Sequence, residues 1–220
     1  MENCNLCREI SGTCAISEAA DYRQLVADGK NILVESPNLV AIPSIGPLNN
    51  THVMIVPRRH VNCIAALSRT ELNEAMKMVK SLSSHILKKT GDKLVFFESG
   101  ASERYSHSGG CIAHAHIHCV AGSEDFSARI FREIDLSPTS PWDYSSADKK
   151  NGYVSFIDED GTFHLCNNPL LPSQFLRYIY SDQAGTLRGW NWRKHPNIEG
   201  VLRVIETYRG IETDESEQAR

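Results

Sequence analysis

The sequence predicts an α+β fold, an antiparallel sheet packed with helices, and three stretches predict it. In Cys111-Ile112-Ala113-His114-Ala115-His116-Ile117-His118-Cys119-Val120, three of the chain's nine histidines alternate with small or apolar residues. A strand sends successive side chains to opposite faces, so His114, His116 and His118 share one face. Ala113, Ala115, Ile117 and Cys119 supply the core face. In a helix, at about 100° per residue, the three imidazoles would converge on nothing. The second stretch is Ser68–Thr90, where Leu72, Ala75, Met76, Val79, Leu82 and Ile86 form an apolar stripe at helical spacing. The third is Tyr153–Ile157 and Thr162–Cys166, alternating runs joined by Asp158-Glu159-Asp160-Gly161, which read as a hairpin.

The remaining elements follow in order. Cys4–Thr13 is too short for a core and opens with Cys-x-x-Cys, half of a zinc site or a redox pair. Ser17–Lys30 reads as a helix ended by Gly29. Asn31–Glu35 and Leu39–Pro43 form a hairpin around Ser36-Pro37-Asn38. After a loop at Ser44–Asn50 comes a strand at His52–Val56, with His52 and Met54 on one face. The long helix begins at the capping box Ser68-x-x-Glu71 and ends at Gly91, and His85 falls off its stripe, toward solvent. Leu94-Val95-Phe96-Phe97 is a buried strand. Residues 1–122 form the core with its N-terminal segment, and 123–220 an extension packed on it. The extension holds a short helix at Phe126–Ile134, a loop at Ser137–Lys150, the hairpin, and helices at Ser173–Tyr180 and Asn197–Tyr208. Its Trp190-Asn191-Trp192-Arg193 cluster either pins the extension to the core or contacts a ligand.

The chain has 220 residues, 41% hydrophobic and 23% charged, with formal net charge −4. These values fit a globular protein and argue against a general nucleic-acid or membrane-surface binder. Neither a signal-peptide pattern nor an apolar run of about 20 residues is present. Seven cysteines suit a reducing compartment, so a cytoplasmic location is expected.

Three imidazoles about 7 Å apart in successive pairs can bind a metal, pass protons or attack phosphorus. The bland alternative is a half-buried strand with a histidine-rich solvated face. Ser106-His107-Ser108-Gly109-Gly110 directly precedes the strand, and the backbone N–H groups of such a loop can line a phosphate pocket.

His-Ala-His-Ile-His-Cys-Val resembles the signature of the histidine triad (HIT) family. Thr51-His52-Val53-Met54-Ile55-Val56-Pro57-Arg58-Arg59-His60 resembles the family's Gly-His-strand-Pro-Lys-x-His segment, with Thr51 in the glycine's place. Cys4-Asn5-Leu6-Cys7-Arg8-Glu9-Ile10 resembles the start of the zinc-containing branch, which is similar in its metal site to galactose-1-phosphate uridylyltransferase. The three motifs stand in family order from Cys4 to Val120.

The resemblance implies a hydrolase of small phosphorylated substrates, nucleotides foremost, with a nucleotidyltransferase or phosphorylase as alternative and a non-catalytic nucleotide-binding protein as another. It makes His116 the nucleophile that forms a phosphohistidine adduct, and His118 the residue that contacts the leaving oxygen and supplies a proton. Histidine rather than glutamine at the third position favours hydrolysis. Cys4, Cys7, His52 and His114 would hold a structural zinc, with His60 as runner-up for the fourth place. Substrate contacts are expected from Ser44 and from His107, Ser108, Gly109, Gly110 and Cys111. Small relatives pair as two-fold dimers around a shared sheet and helix, so a homodimer is expected unless the extension covers that surface. The chain also departs from the pattern. Gly110 and Cys111 stand where relatives carry Gln and Ser or Thr. Ser44 stands where an acid or amide holds the ribose diol, and Glu98-Ser99 where Asn is common.

Overall fold

A computed structural model describes residues 4–14, 20–100, 114–186 and 189–211. Its described strands form one eight-stranded antiparallel sheet, and its helices lie on both faces. Two-residue β1 (Val34–Glu35) pairs with β2 (Leu39–Pro43) as the expected hairpin. β3 (Val53–Pro57) lies between β2 and β5 (Ile117–Ala121), and β5 in turn pairs with β4 (Leu94–Gly100). β4 continues into β7 (Tyr153–Ile157), then β8 (Phe163–Asn167) and finally two-residue β6 (Ser137–Pro138). The hairpin in the C-terminal half therefore extends the same sheet, with Phe96 opposite Cys119 on one side and Ile157 on the other.

β5 starts only at Ile117, so of the three histidines expected on one strand His118 alone lies in it; the alternation along β5 and the residues just before it divides the two faces. Ala115, Ile117 and Cys119 are buried with Val53, Ile55 and Phe96 under α3 (Arg69–Thr90). This helix starts where Ser68 accepts the Glu71 N–H while the Glu71 carboxylate accepts the Ser68 N–H at 2.7 Å. It ends at Gly91, whose φ of 81° is left-handed and suits a residue without Cβ. Two details of the helix differ from the sequence reading. Met78, not Met76, is buried with Ala75, Leu82 and Ile86, while Met76 is 40% exposed. His85 is not directed to solvent: its Nε2 lies 2.9 Å from the Thr207 carbonyl and its ring stacks on Tyr208. Both come from α6 (Ile198–Thr207) and its C-cap, a packing partner that helical periodicity cannot reveal.

On the other face, α4 (Glu124–Glu133) and α5 (Phe175–Gln183) bury Phe126, Ile130, Leu176 and Ile179 against Val95, Phe97, Val120 and Phe156. Six-residue α1 (Asn5–Ile10) buries Leu6 against Val40, Ile42, Met54 and Val56. Near α1, α2 (Ala20–Ala27) packs Tyr22 and Val26 against Val201 of α6, and the Tyr22 hydroxyl donates to Glu9 at 2.8 Å. A gap thus remains over β3, β5 and β4, between α1 and α5. Among the described residues, no helix is long and apolar enough to cross a membrane.

Candidate active site

The gap is a cleft of about 750 Å³, measured to its open mouth, large enough for a mononucleotide. His116, His118, Met54, Phe97 and Ser99 line it from the sheet, and Asn5, Leu6 and Glu9 from α1. Ser44 and Ile45 contribute from the loop after β2, and Gln174, Leu176, Arg177 and Trp192 from the C-terminal half.

Hydrogen-bond partners assign each histidine its tautomer. The Leu48 N–H donates to His52 Nδ1 at 3.0 Å, so neutral His52 carries its proton on Nε2. That atom lies 2.9 Å from His118 Nδ1 and donates to it. His118 is left with its proton on Nε2. His116 Nδ1 lies 2.7 Å from the His114 carbonyl and must donate, which leaves the lone pair on His116 Nε2. Two adjacent rings of the cleft thus carry opposite functions: an acceptor with an unshared pair on His116, and a donor on His118. Burial holds all three of His52, His116 and His118 below the ordinary histidine range, and the charge of Arg177 pushes the same way. Neutral rings at pH 7 are what the tautomer assignment requires.

His114, fully buried, turns away from the cleft chemistry. Its Nε2–H donates to the Pro57 carbonyl at 2.8 Å, so Nδ1 carries the lone pair. Nδ1 stands 3.4 Å from the sulfurs of both Cys4 and Cys7, and His60 Nδ1 stands 3.4 Å from Cys7 Sγ. The four donor atoms all lie within 4.8 Å of one another. Metal–sulfur and metal–nitrogen bonds of about 2.3 and 2.0–2.1 Å give a tetrahedron with edges of about 3.4–3.8 Å, so the donor set fits one metal ion. Burial holds His114 down at about 4, ready to ligate, and without a cation burial pushes the Cys7 thiol up to about 11. A bound cation reverses the thiol shift, because ligating sulfur is deprotonated.

The fourth member of this cluster is His60, not His52, and the strand register explains the correction. β3 and β5 are antiparallel with Val53 opposite Cys119 and Ile55 opposite Ile117. Each step back along β5 toward His114 therefore moves forward along β3 toward His60 and away from His52. Of the other residues expected at the site, His116, His118 and Ser44 line the cleft. His107, Ser108, Gly109, Gly110 and Cys111 lie outside the described residues.

The sequence reading missed Arg177, Gln174 and the α1 wall. Arg177 is 3% exposed. Its Nε donates to the Trp190 carbonyl at 2.9 Å, Nη1 to Ser44 Oγ at 3.2 Å, and Nη2 to the Gly46 carbonyl. Burial lowers its pKa to about 9, which still leaves a cation at neutral pH. Trp192 takes both roles open to the tryptophan cluster: it lines the cleft and it packs on the loop after β2. A Cβ on Gly46 would come within 2.8 Å of Trp192 Cβ, and at φ 60° only glycine enters this position without strain.

Residues 3–129, more than half of the chain, match the family described as "Protein similar to CwfJ C-terminal". The chain belongs to this CwfJ C-terminal-like family. The family match ends within α4, so most of what lies beyond Gly122 falls outside it. No curated protein matches the chain. Among solved structures, it is similar to a hypothetical protein from Leishmania major, with 18% identity over 56% of this chain and 76% of that one (TM-score 0.42). A HIT family member from Bacillus subtilis shows 17% identity over 54% and 72% of the two chains (TM-score 0.40). A zinc-bound histidine triad protein from Mycobacterium smegmatis shows 14% over 56% and 77% (TM-score 0.38). The fold of this CwfJ C-terminal-like chain is HIT-like, with His118 on β5 and His114 and His116 in the segment that leads into it.

Proposed function

We propose that this protein is a nucleotide-binding enzyme that hydrolyses a phosphate ester, anhydride or phosphoramidate of a nucleotide through a phosphohistidine on His116. The observation that carries the reading is the 2.7 Å bond between His116 Nδ1 and the His114 carbonyl. It directs the lone pair to Nε2 in a cleft large enough for a nucleotide, and it stabilises the positive ring that forms once Nε2 is phosphorylated. In the first step Nε2 forms a bond to the α-phosphorus, and the bond to the leaving oxygen or nitrogen breaks with its electron pair on the leaving group. His118 donates from Nε2–H to the departing atom. That hydrogen bond stabilises the charge on the departing atom, which takes its proton from solvent. Water then attacks phosphorus, the P–N bond breaks with its electron pair returning to His116 Nε2, and the water's proton passes to solvent as the nucleotide leaves.

In the same reading Cys4, Cys7, His60 and His114 hold a structural zinc, whose four protein ligands leave no open position. Bound there, it fixes the start of α1 to the segment before β5, while chemistry rests with the histidines.

Quenched reactions with α-labelled nucleotides, diadenosine polyphosphates and nucleoside phosphoramidates test the reading. Acid-labile, base-stable label is expected on the wild type and none on His116→Asn, with turnover abolished. Turnover by His116→Asn at the wild-type rate overturns the covalent mechanism.

A further inference from the structure

A buried arginine with no acid beside it calls for an anion. Among the described residues, no carboxylate lies within ion-pair distance of Arg177, although it is 3% exposed. Its three hydrogen bonds go to neutral groups, two carbonyls and the Ser44 hydroxyl, and two of its five N–H donors remain for other partners. Neutral acceptors satisfy geometry but not charge, and an uncompensated buried cation is costly. The charge also faces the cleft that contains His116 and His118.

One turn earlier stands a second, independent sign of an absent ligand. Gln174 lines the same cleft, and its buried Oε1 has no hydrogen-bond partner. Its backbone adopts φ 57°, ψ 24° as the N-cap of α5, a left-handed conformation that is strained for a residue with Cβ. Unpaired buried amide oxygens and left-handed side-chain-bearing residues are each uncommon. Here both fall on one residue, three positions before the buried arginine and lining the same cleft.

We infer that the first turn of α5 is the phosphate-recognition element of this cleft: Arg177 binds a substrate phosphate as a charge partner, and the Gln174 carboxamide accepts from a donor on the same ligand. The inference rests on the proposed function for the identity of the ligand as a nucleotide, but not for its charge. The proposed catalytic histidines, from residues 1–122, and the charge-binding arginine, from the extension at 123–220, thus meet in one site. The extension becomes a working part of the pocket. The ligand class is a phosphorylated small molecule, and the unphosphorylated counterpart should be discriminated against.

Calorimetric titration of inorganic phosphate, AMP and adenosine into wild type, Arg177→Lys and Arg177→Gln tests this. Arg177→Gln should weaken phosphate and AMP by about tenfold or more, the size of a charged hydrogen bond, and leave adenosine unchanged. Arg177→Lys should retain an intermediate affinity for AMP. Gln174→Ala should weaken AMP and adenosine but not inorganic phosphate. Equal losses for AMP and adenosine in Arg177→Gln would make the arginine a purely structural tie, and no loss for AMP would overturn the inference outright. Because Arg177 also joins the Ser44 loop to Trp190, Arg177→Gln could fail to fold. The Nε–H resonance of Arg177 in ¹⁵N-arginine-labelled wild type then decides. Assigned through Arg177→Lys, it should shift on saturation with phosphate, and a fixed resonance overturns the inference. None of these measurements needs turnover. Phosphate-selective binding without hydrolysis of any nucleotide would sink the proposed function and leave this inference standing, and hydrolysis with Arg177-independent binding would do the reverse.

Discussion

His52 Nε2 lies 2.9 Å from His118 Nδ1, the second link of a chain that starts at the Leu48 N–H. His52, the residue just before β3, thus fixes the orientation of the His118 ring, beside the proposed nucleophile His116. His52→Phe should lower kcat on the order of 10–100-fold, the usual cost of losing an orienting partner, with metal content unchanged. His52→Gln can accept from Leu48 and donate to His118, so it should recover part of the rate. The ¹⁵N shifts of His118 should report loss of the fixed tautomer in His52→Phe. Loss of metal in that variant would instead return His52 to the ligand set.

The donor geometry at the other histidine pair predicts about one zinc per chain, from a four-ligand site. Elemental analysis should find it in protein made without added metal. Cys7→Ser and His60→Ala should lose it together with stability, since metal binding at such sites is coupled to folding. Full activity in zinc-free protein would remove the site from the mechanism.

Most of the sheet and the cleft-facing pair His116 and His118 could be read in the sequence because their signals are local. Period-two alternation placed His116 and His118 opposite Ile117 and Cys119, and a capping box and a glycine marked both ends of α3. The choice between His52 and His60 was not local. Both flank β3, and only the antiparallel register with β5 says which end meets His114. Arg177 had no signal at all, since a single arginine within a helix reads as a solvated residue until α5 is docked on the sheet. The tryptophan cluster fell between, with its aromatic content visible and the cleft beside it not.

Glu98 predicts a pH dependence of stability. Its buried carboxyl accepts from the Ile64 N–H at 2.7 Å and the Tyr153 hydroxyl at 2.6 Å, and burial outweighs both bonds, pushing its pKa from 4.5 up to about 8. Between those values the folded state holds a proton that the unfolded state releases, so stability falls as pH rises. The contribution is complete below about 4.5 and is lost as pH passes through about 8. Wild type should therefore lose more melting temperature than Glu98→Gln between pH 5 and pH 9, by at least about 3 °C, the effect of roughly 1 kcal/mol in a domain of this size. Parallel curves would show that Glu98 ionises normally.

The sheet bears on the expected homodimer. β4 is paired on both sides within one chain, by β5 and by β7, and the strands at the two edges, β1 and β6, have two residues each. Such short edges offer little backbone for a partner to extend. Light scattering at micromolar concentration should give a mass near 24.6 kDa. Twice that mass would require a dimer built through helices or loops instead of a shared sheet.

Six-residue α1 has two allegiances. Cys4 and Cys7, at its start, belong to the metal-ligating cluster, while Asn5, Leu6 and Glu9 form a wall of the cleft. A helix this short has no stability of its own, so whatever orders it for one purpose orders it for the other. A metal ion at the cysteines and a ligand in the cleft would then be thermodynamically linked. Each should raise the affinity of the other by the same factor, and a cell short of the metal would see the cleft's ligand affinity fall before its histidines were touched.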